Sequence, residues 1–209
     1  WPFSFHEKNG LGMAFLVLVP LLPLLTAFIV MTGDRAEQDQ NARAGLLPVA
    51  AAFLGSLIAL VAVTSGDPVT IQFYDTASVA NLAFPIGFYI DRLSAVMMVL
   101  ITGVTMLIYR YSMGYMYQDR GYRRYLGMLG ITTAVLLCMV SSANLVMLFV
   151  FWQILSWLLF LLAHNHGHAA TLSGATNTFT MLRLSDAAFL AGIVLAYSLY
   201  GTFEFQTLF

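Results

Sequence analysis

The 209-residue sequence holds one cysteine, Cys138, and one lysine, Lys8, and only 9% of its residues are charged. A single thiol excludes an intrachain disulfide framework and any multi-cysteine zinc or iron–sulfur centre. Its place in an apolar run marks Cys138 as a small core residue. Nine Lys and Arg nearly cancel ten Asp and Glu, so no basic excess exists to gather a nucleic-acid backbone, and no nucleic-acid partner is expected. A Gly-rich phosphate loop, a nucleophile elbow and a paired-carboxylate site are also missing. No catalytic residue is therefore assigned, and the chain is not expected to be an enzyme by itself. Nor is there a short basic leader with a small-residue cleavage site; the first apolar run is too long for one, so the first helix is expected to stay in the mature protein.

What is abundant is apolar surface. Hydrophobic residues make up 60% of the chain, whereas a soluble domain carries roughly 25% charged residues. The fold class expected is an all-α membrane protein of about six transmembrane helices, since about 20 apolar residues cross a bilayer. The spans read as about Leu11–Thr32, Leu46–Ser65, Leu93–Met113, Tyr125–Val140, Leu145–Ala163 and Thr178–Tyr200, forming one transmembrane domain over residues 1–209. Pro20 and Pro23 interrupt the first, which a membrane helix tolerates when neighbours satisfy the freed carbonyls. Between the second and third, Val69, Ile71 and Phe73 alternate with Thr70, Gln72 and Tyr74, a period of two that predicts a short extramembrane strand or hairpin. Ser141-Ser142-Ala143-Asn144 is so short a turn that the fourth and fifth helices must be antiparallel neighbours. No internal repeat is present. Six helices bury little on their own, so further membrane subunits are expected beside the bilayer itself.

Arginine placement gives an orientation. Arg35, Arg43, Arg110, Arg120, Arg123 and Arg124 fall in or beside the loops after the first, third and fifth spans, and only Lys8 and Arg92 lie on the other side. The positive-inside rule makes the Arg-rich loops cytoplasmic and puts the N terminus and the strand-like segment outside.

Few residues in the spans can carry chemistry. Arg183 and Asp186, three apart, share a face of the sixth helix and can pair. A charge at mid-bilayer costs roughly 2.5 to 3.5 kcal/mol on insertion scales, so the pair is either a static bridge that orients helices or a proton or ion site; intramembrane ionisable groups favour the second. Gln153, beside Trp152 in the fifth span, cannot titrate, and serves as a hydrogen-bonding tie between helices or as a support for a water chain. His164, His166 and His168 are imidazole candidates for a metal. With no Cys, Asp or Glu near them, the plainer reading is a loop that faces water or a partner.

Together these pieces resemble the proton-conducting antiporter-like family, which includes the large antiporter-like subunits of respiratory complex I, Mrp-type cation/proton antiporters and the DabB membrane subunits of DAB-type inorganic-carbon accumulation complexes. The matching stretches are Tyr89-Ile90-Asp91-Arg92-Leu93-Ser94, Tyr111 to Tyr125, Ala143-Asn144-Leu145 with Trp152, Leu182-Arg183-Leu184-Ser185-Asp186, and Tyr200-Gly201-Thr202-Phe203-Glu204-Phe205. Complex I and Mrp members carry a glutamate directly after the tryptophan of the fifth span, working with a lysine on a later helix. Here that residue is Gln153, and Lys8 is the only lysine. The resemblance is therefore strongest to the DabB branch. It implies an energy-coupling subunit, conducting protons or another cation, for bicarbonate or CO2 uptake in a bacterial inner membrane. It also implies a soluble, zinc-containing DabA-like partner similar to a β-type carbonic anhydrase, with zinc on that partner and no cofactor in this chain. Two alternatives stay open: an antiporter-like subunit of an NADH-quinone oxidoreductase, membrane hydrogenase or Mrp complex, and a non-conducting anchor. Family members have a dozen or more helices, so a fragment and a truncated subunit are both compatible with this length.

Overall fold

The computed structural model describes residues 18–33, 38–65, 69–79, 82–117, 119, 121–163 and 169–205; for 71–79, 82–86, 163 and 169–175 it describes the backbone alone. Among these residues the chain forms a 3-10 turn, Val19–Leu21, then six helices and a hairpin. The helices are α1 (Leu22–Thr32), α2 (Gln38–Ser65), α3 (Arg92–Tyr115), α4 (Tyr122–Val140), α5 (Leu145–Ala163) and α6 (Ala169–Tyr200). The hairpin pairs β1 (Val69–Val79) with β2 (Leu82–Ile90) between α2 and α3. Five helices, α2 to α6, are long and apolar enough to cross a membrane, and Val19–Thr32 is a shorter apolar helix. This is the all-α membrane architecture that the apolar runs predict. Residues 11–17 of the first expected span lie outside the described residues.

Two helices begin two turns or more before their apolar runs. The sequence places the second span from Leu46 and the sixth from Thr178, whereas α2 starts at Gln38 and α6 at Ala169. Apolar runs report the membrane-embedded part of a helix and not its aqueous end. In α2 that end is held by an Arg43–Asp39 ion pair of 3.0 Å, one helical turn apart.

Close helix packing defines the centre. One face of α2 is small, with Ala42, Gly45, Ala52, Gly55, Ser56 and Ala59 all buried, which lets α1 and α3 approach it. At Gly45 a Cβ would stand 2.5 Å from the Tyr109 hydroxyl and 2.7 Å from a Val30 methyl, so only glycine fits. Around Pro48, which cannot donate a backbone hydrogen bond, Tyr109 Oη donates to the Ala42 carbonyl at 3.0 Å and Thr26 Oγ1 to the Gly45 carbonyl at 2.9 Å. The facing side of α3 is a column of buried hydroxyls, Thr102, Thr105, Tyr109 and Ser112. Ser56 and Thr102 share a 2.9 Å hydrogen bond, and Thr133 of α4 donates to Thr105 at 3.2 Å.

The two ends of the bundle are tied differently. At one, the Arg123 guanidinium of α4 reaches the last carbonyls of α1, donating to Val30 at 3.0 Å, to Met31 at 2.8 Å and to Gly33. These are the carbonyls that a helix C-terminus leaves without intrahelical donors. At the other end, Tyr89 N donates to the Ser141 carbonyl at 2.8 Å and Ala143 N to the Gly87 carbonyl at 3.2 Å, joining β2 to the α4–α5 turn. Leu145 N donates to the Phe203 carbonyl and Phe205 N to that of Ala143, so the chain after α6 lines the turn's opposite edge. Buried Asn144 caps α5 by accepting from Met147 N at 2.8 Å. Gly201, at φ 71°, supplies the left-handed residue that ends α6. The antiparallel α4–α5 pair expected from the short turn is thus present, and α6 packs on the far side of α5.

Candidate functional site

The ionisable groups of α6 meet the aromatic face of α5. Arg183 and Asp186 are three residues apart and therefore lie about 60° apart around the helix, with Arg183 NH1 3.2 Å from Asp186 Oδ2. Asp186 is 5% exposed, while the Arg183 side chain is 32% exposed. From α5, consecutive residues address the two members separately. Trp152 Nε1 donates to Asp186 Oδ1 at 2.9 Å, and Arg183 NH1 donates to Gln153 Oε1.

Aromatic rings close the site. The Arg183 guanidinium carbon lies 4.6 Å from the Phe179 ring centre and 5.4 Å from that of Trp157, within cation–π range. Those two rings also contact each other, at 5.1 Å between centres. Phe189 stands edge-on to the Trp152 indole at 5.9 Å, with Phe149 against it at 5.6 Å. Among the described residues, Arg183 Nε and NH2 and Asp186 Oδ2 have no hydrogen-bond partner. The site thus combines one cation, one anion and a neutral amide, with a single carboxylate as its titratable centre and unused hydrogen-bonding capacity on both charged partners.

The three expected residues are therefore brought together through Arg183, which touches both Asp186 and Gln153. The sequence reading leaves out the indole bond from Trp152 and the rings of Trp157 and Phe179. Phe179 is one turn before Arg183, a spacing the sequence displays; the α5 contacts depend on how two helices are rotated against each other. His164, His166 and His168 lie outside the described residues. Among the described residues no group of three His, Cys, Asp or Glu side chains is placed to hold a metal.

Comparison with known proteins gives the site a setting. Residues 77–126 match the family described as NADH-Ubiquinone oxidoreductase (complex I), chain 5 N-terminus. The chain is 33% identical over 200 residues to NAD(P)H-quinone oxidoreductase subunit 5, chloroplastic, of Zygnema circumcarinatum, covering 90% of this chain and 28% of that one. It is 31% identical over 198 residues to the probable inorganic carbon transporter subunit DabB1 of Halothiobacillus neapolitanus, covering 92% and 34%. It therefore spans about a third of the length of these relatives. Its fold superposes on a chain of respiratory complex I from Thermus thermophilus with a TM-score of 0.73 at 20% identity, over 92% of this chain and 38% of that one.

Proposed function

Because the chain belongs to the antiporter-like family of membrane subunits, we propose that it is the energy-coupling, proton-conducting membrane subunit of an inorganic-carbon uptake complex. The observation that carries this reading is the occupant of the site on α5. Gln153 stands where the resemblance to complex I and Mrp members calls for a glutamate, and its amide oxygen accepts from Arg183. A proton passing here has Asp186 as the carboxylate that the described residues offer to bind it, with Arg183 beside it, the Trp152 indole on Asp186 and the Trp157 and Phe179 rings on Arg183. A carboxylate can take and give up a proton, whereas an amide cannot. The likeness to DabB1 supports the same assignment. The zinc chemistry then belongs to a soluble DabA-like partner, docked on the cytoplasmic side of a bacterial inner membrane.

A second reading, an antiporter-like subunit of a quinone oxidoreductase, rests on the 33% identity to the chloroplastic subunit 5. Purification of the full complex in mild detergent separates the two. The first reading expects a soluble zinc protein in stoichiometric amount and uptake of labelled inorganic carbon. Quinone-oxidoreductase subunits in its place assign the chain to the second. A zinc-free single subunit that supports uptake alone removes the DAB-like reading.

A further inference from the structure

The two oxygens of Asp186 are not equivalent. Oδ1 accepts the Trp152 indole N–H at 2.9 Å. Oδ2 is buried and lies 3.2 Å from Arg183 NH1, yet it accepts no hydrogen bond among the described residues. Arg183 NH1 instead donates to Gln153 Oε1, and the guanidinium is held over Phe179 and Trp157. From these contacts we infer that Trp152 is a positioning residue that fixes Asp186 through Oδ1 and reserves Oδ2 as the oxygen that exchanges the proton.

The chemistry of indole suits this task. Its N–H only donates, so it orients a carboxylate without competing for the proton. A hydrogen bond to a charged acceptor is also stronger than one between neutral groups. The ring cannot swing freely, because Phe189 packs edge-on against it and Phe149 backs Phe189. With one acceptor site of Oδ1 taken by the indole and neither of Oδ2 taken, a proton arriving at Asp186 meets the more open oxygen at Oδ2, on the side facing Arg183. Gln153 contributes by engaging NH1, the guanidinium nitrogen nearest Oδ2. The device belongs to α5, whereas the proton-binding group belongs to α6, so rotation of one helix against the other would uncouple them.

The inference rests on Asp186 carrying the proton, and its test keeps the two claims apart. Trp152→Phe removes the donor and keeps a smaller aromatic ring against Phe189. In the intact complex in its membrane, transport per assembled complex is expected to fall about tenfold or more, in line with losing a hydrogen bond to a charged group. The infrared carboxyl bands of Asp186, isolated by subtraction of the Asp186→Asn spectrum, are expected to move in Trp152→Phe and to stay in place in Tyr111→Phe, an exposed position on α3 outside the site. Full transport by Trp152→Phe, or a loss of transport with unmoved bands, overturns the positioning role. Full transport by Asp186→Asn overturns the relay reading beneath it, whatever Trp152→Phe does.

Discussion

A carboxylate that is 5% exposed on a membrane helix has to be compensated where it stands. The insertion cost of an aspartate at mid-helix, roughly 2.5 to 3.5 kcal/mol, is offset at Asp186 by the Arg183 guanidinium and the Trp152 N–H. Substitutions at the three polar positions should therefore separate. Asp186→Asn keeps the size and an acceptor oxygen but cannot exchange a proton, so the complex should assemble while uptake fails. Arg183→Ala leaves a buried carboxylate without its cation, a loss of about 3 to 5 kcal/mol when a buried pair is broken, and both assembly and uptake should drop. Gln153→Glu places a second anion against Arg183 NH1, which already touches that side chain. The new pair would draw the guanidinium from Asp186, so impaired uptake or no gain is expected. Uptake of labelled inorganic carbon, divided by the amount of assembled complex, decides all three. Normal uptake by Asp186→Asn would reduce the pair to a structural bridge.

At the scale of elements, helix spacing is set at Gly45, where α1, α2 and α3 converge. Gly45→Ala puts a methyl 2.5 Å from the Tyr109 hydroxyl and 2.7 Å from Val30, and overpacking of this kind costs about 1 to 3 kcal/mol. A lower melting midpoint in detergent is expected. Gly114→Ala, whose added methyl meets nothing within 4 Å, should leave the midpoint unchanged or raised, since alanine is the better helix former. Equal midpoints for the two variants would show that the close approach at Gly45 is relaxed in solution. Much at this scale is legible in the residues themselves. Alternation at Val69 to Tyr74 marks a strand pair, and the four residues Ser141 to Asn144 compel an antiparallel turn. The Asp39–Arg43 spacing already permits an ion pair in the polar start of α2, but apolar runs alone conceal where that helix begins. The hydroxyl column Thr102, Thr105, Tyr109 and Ser112 follows helical spacing too, dispersed in an otherwise apolar run. The bond from Trp152 to Asp186 could not be read this way. It joins positions 34 residues apart on two helices, and only their mutual rotation decides which residue of α5 meets which residue of α6.

For the whole molecule, the charge distribution and the folded ends make one statement about orientation. The Arg123 clamp brings the start of α4 to the end of α1, and Tyr109 joins the start of α2 near the end of α3. Arg43, Arg110, Arg123 and Arg124 thus gather at one end of the bundle, opposite the hairpin, the α4–α5 turn and the chain after α6. On the positive-inside rule the arginine end is expected to face the cytoplasm. Single cysteines can test this with little background, because the native Cys138 is buried in α4. Tyr117 is 48% exposed just beyond α3 at the arginine end, and Thr70 is exposed at the start of β1. In intact cells Thr70→Cys should react with a membrane-impermeant thiol reagent, and Tyr117→Cys should react only after the membrane is permeabilised. The permeabilised sample also separates orientation from burial, since a cysteine covered by a partner subunit stays unreactive in both. Labelling of Tyr117→Cys in intact cells, with Thr70→Cys protected until permeabilisation, would invert the topology and move any cytoplasmic partner to the hairpin end.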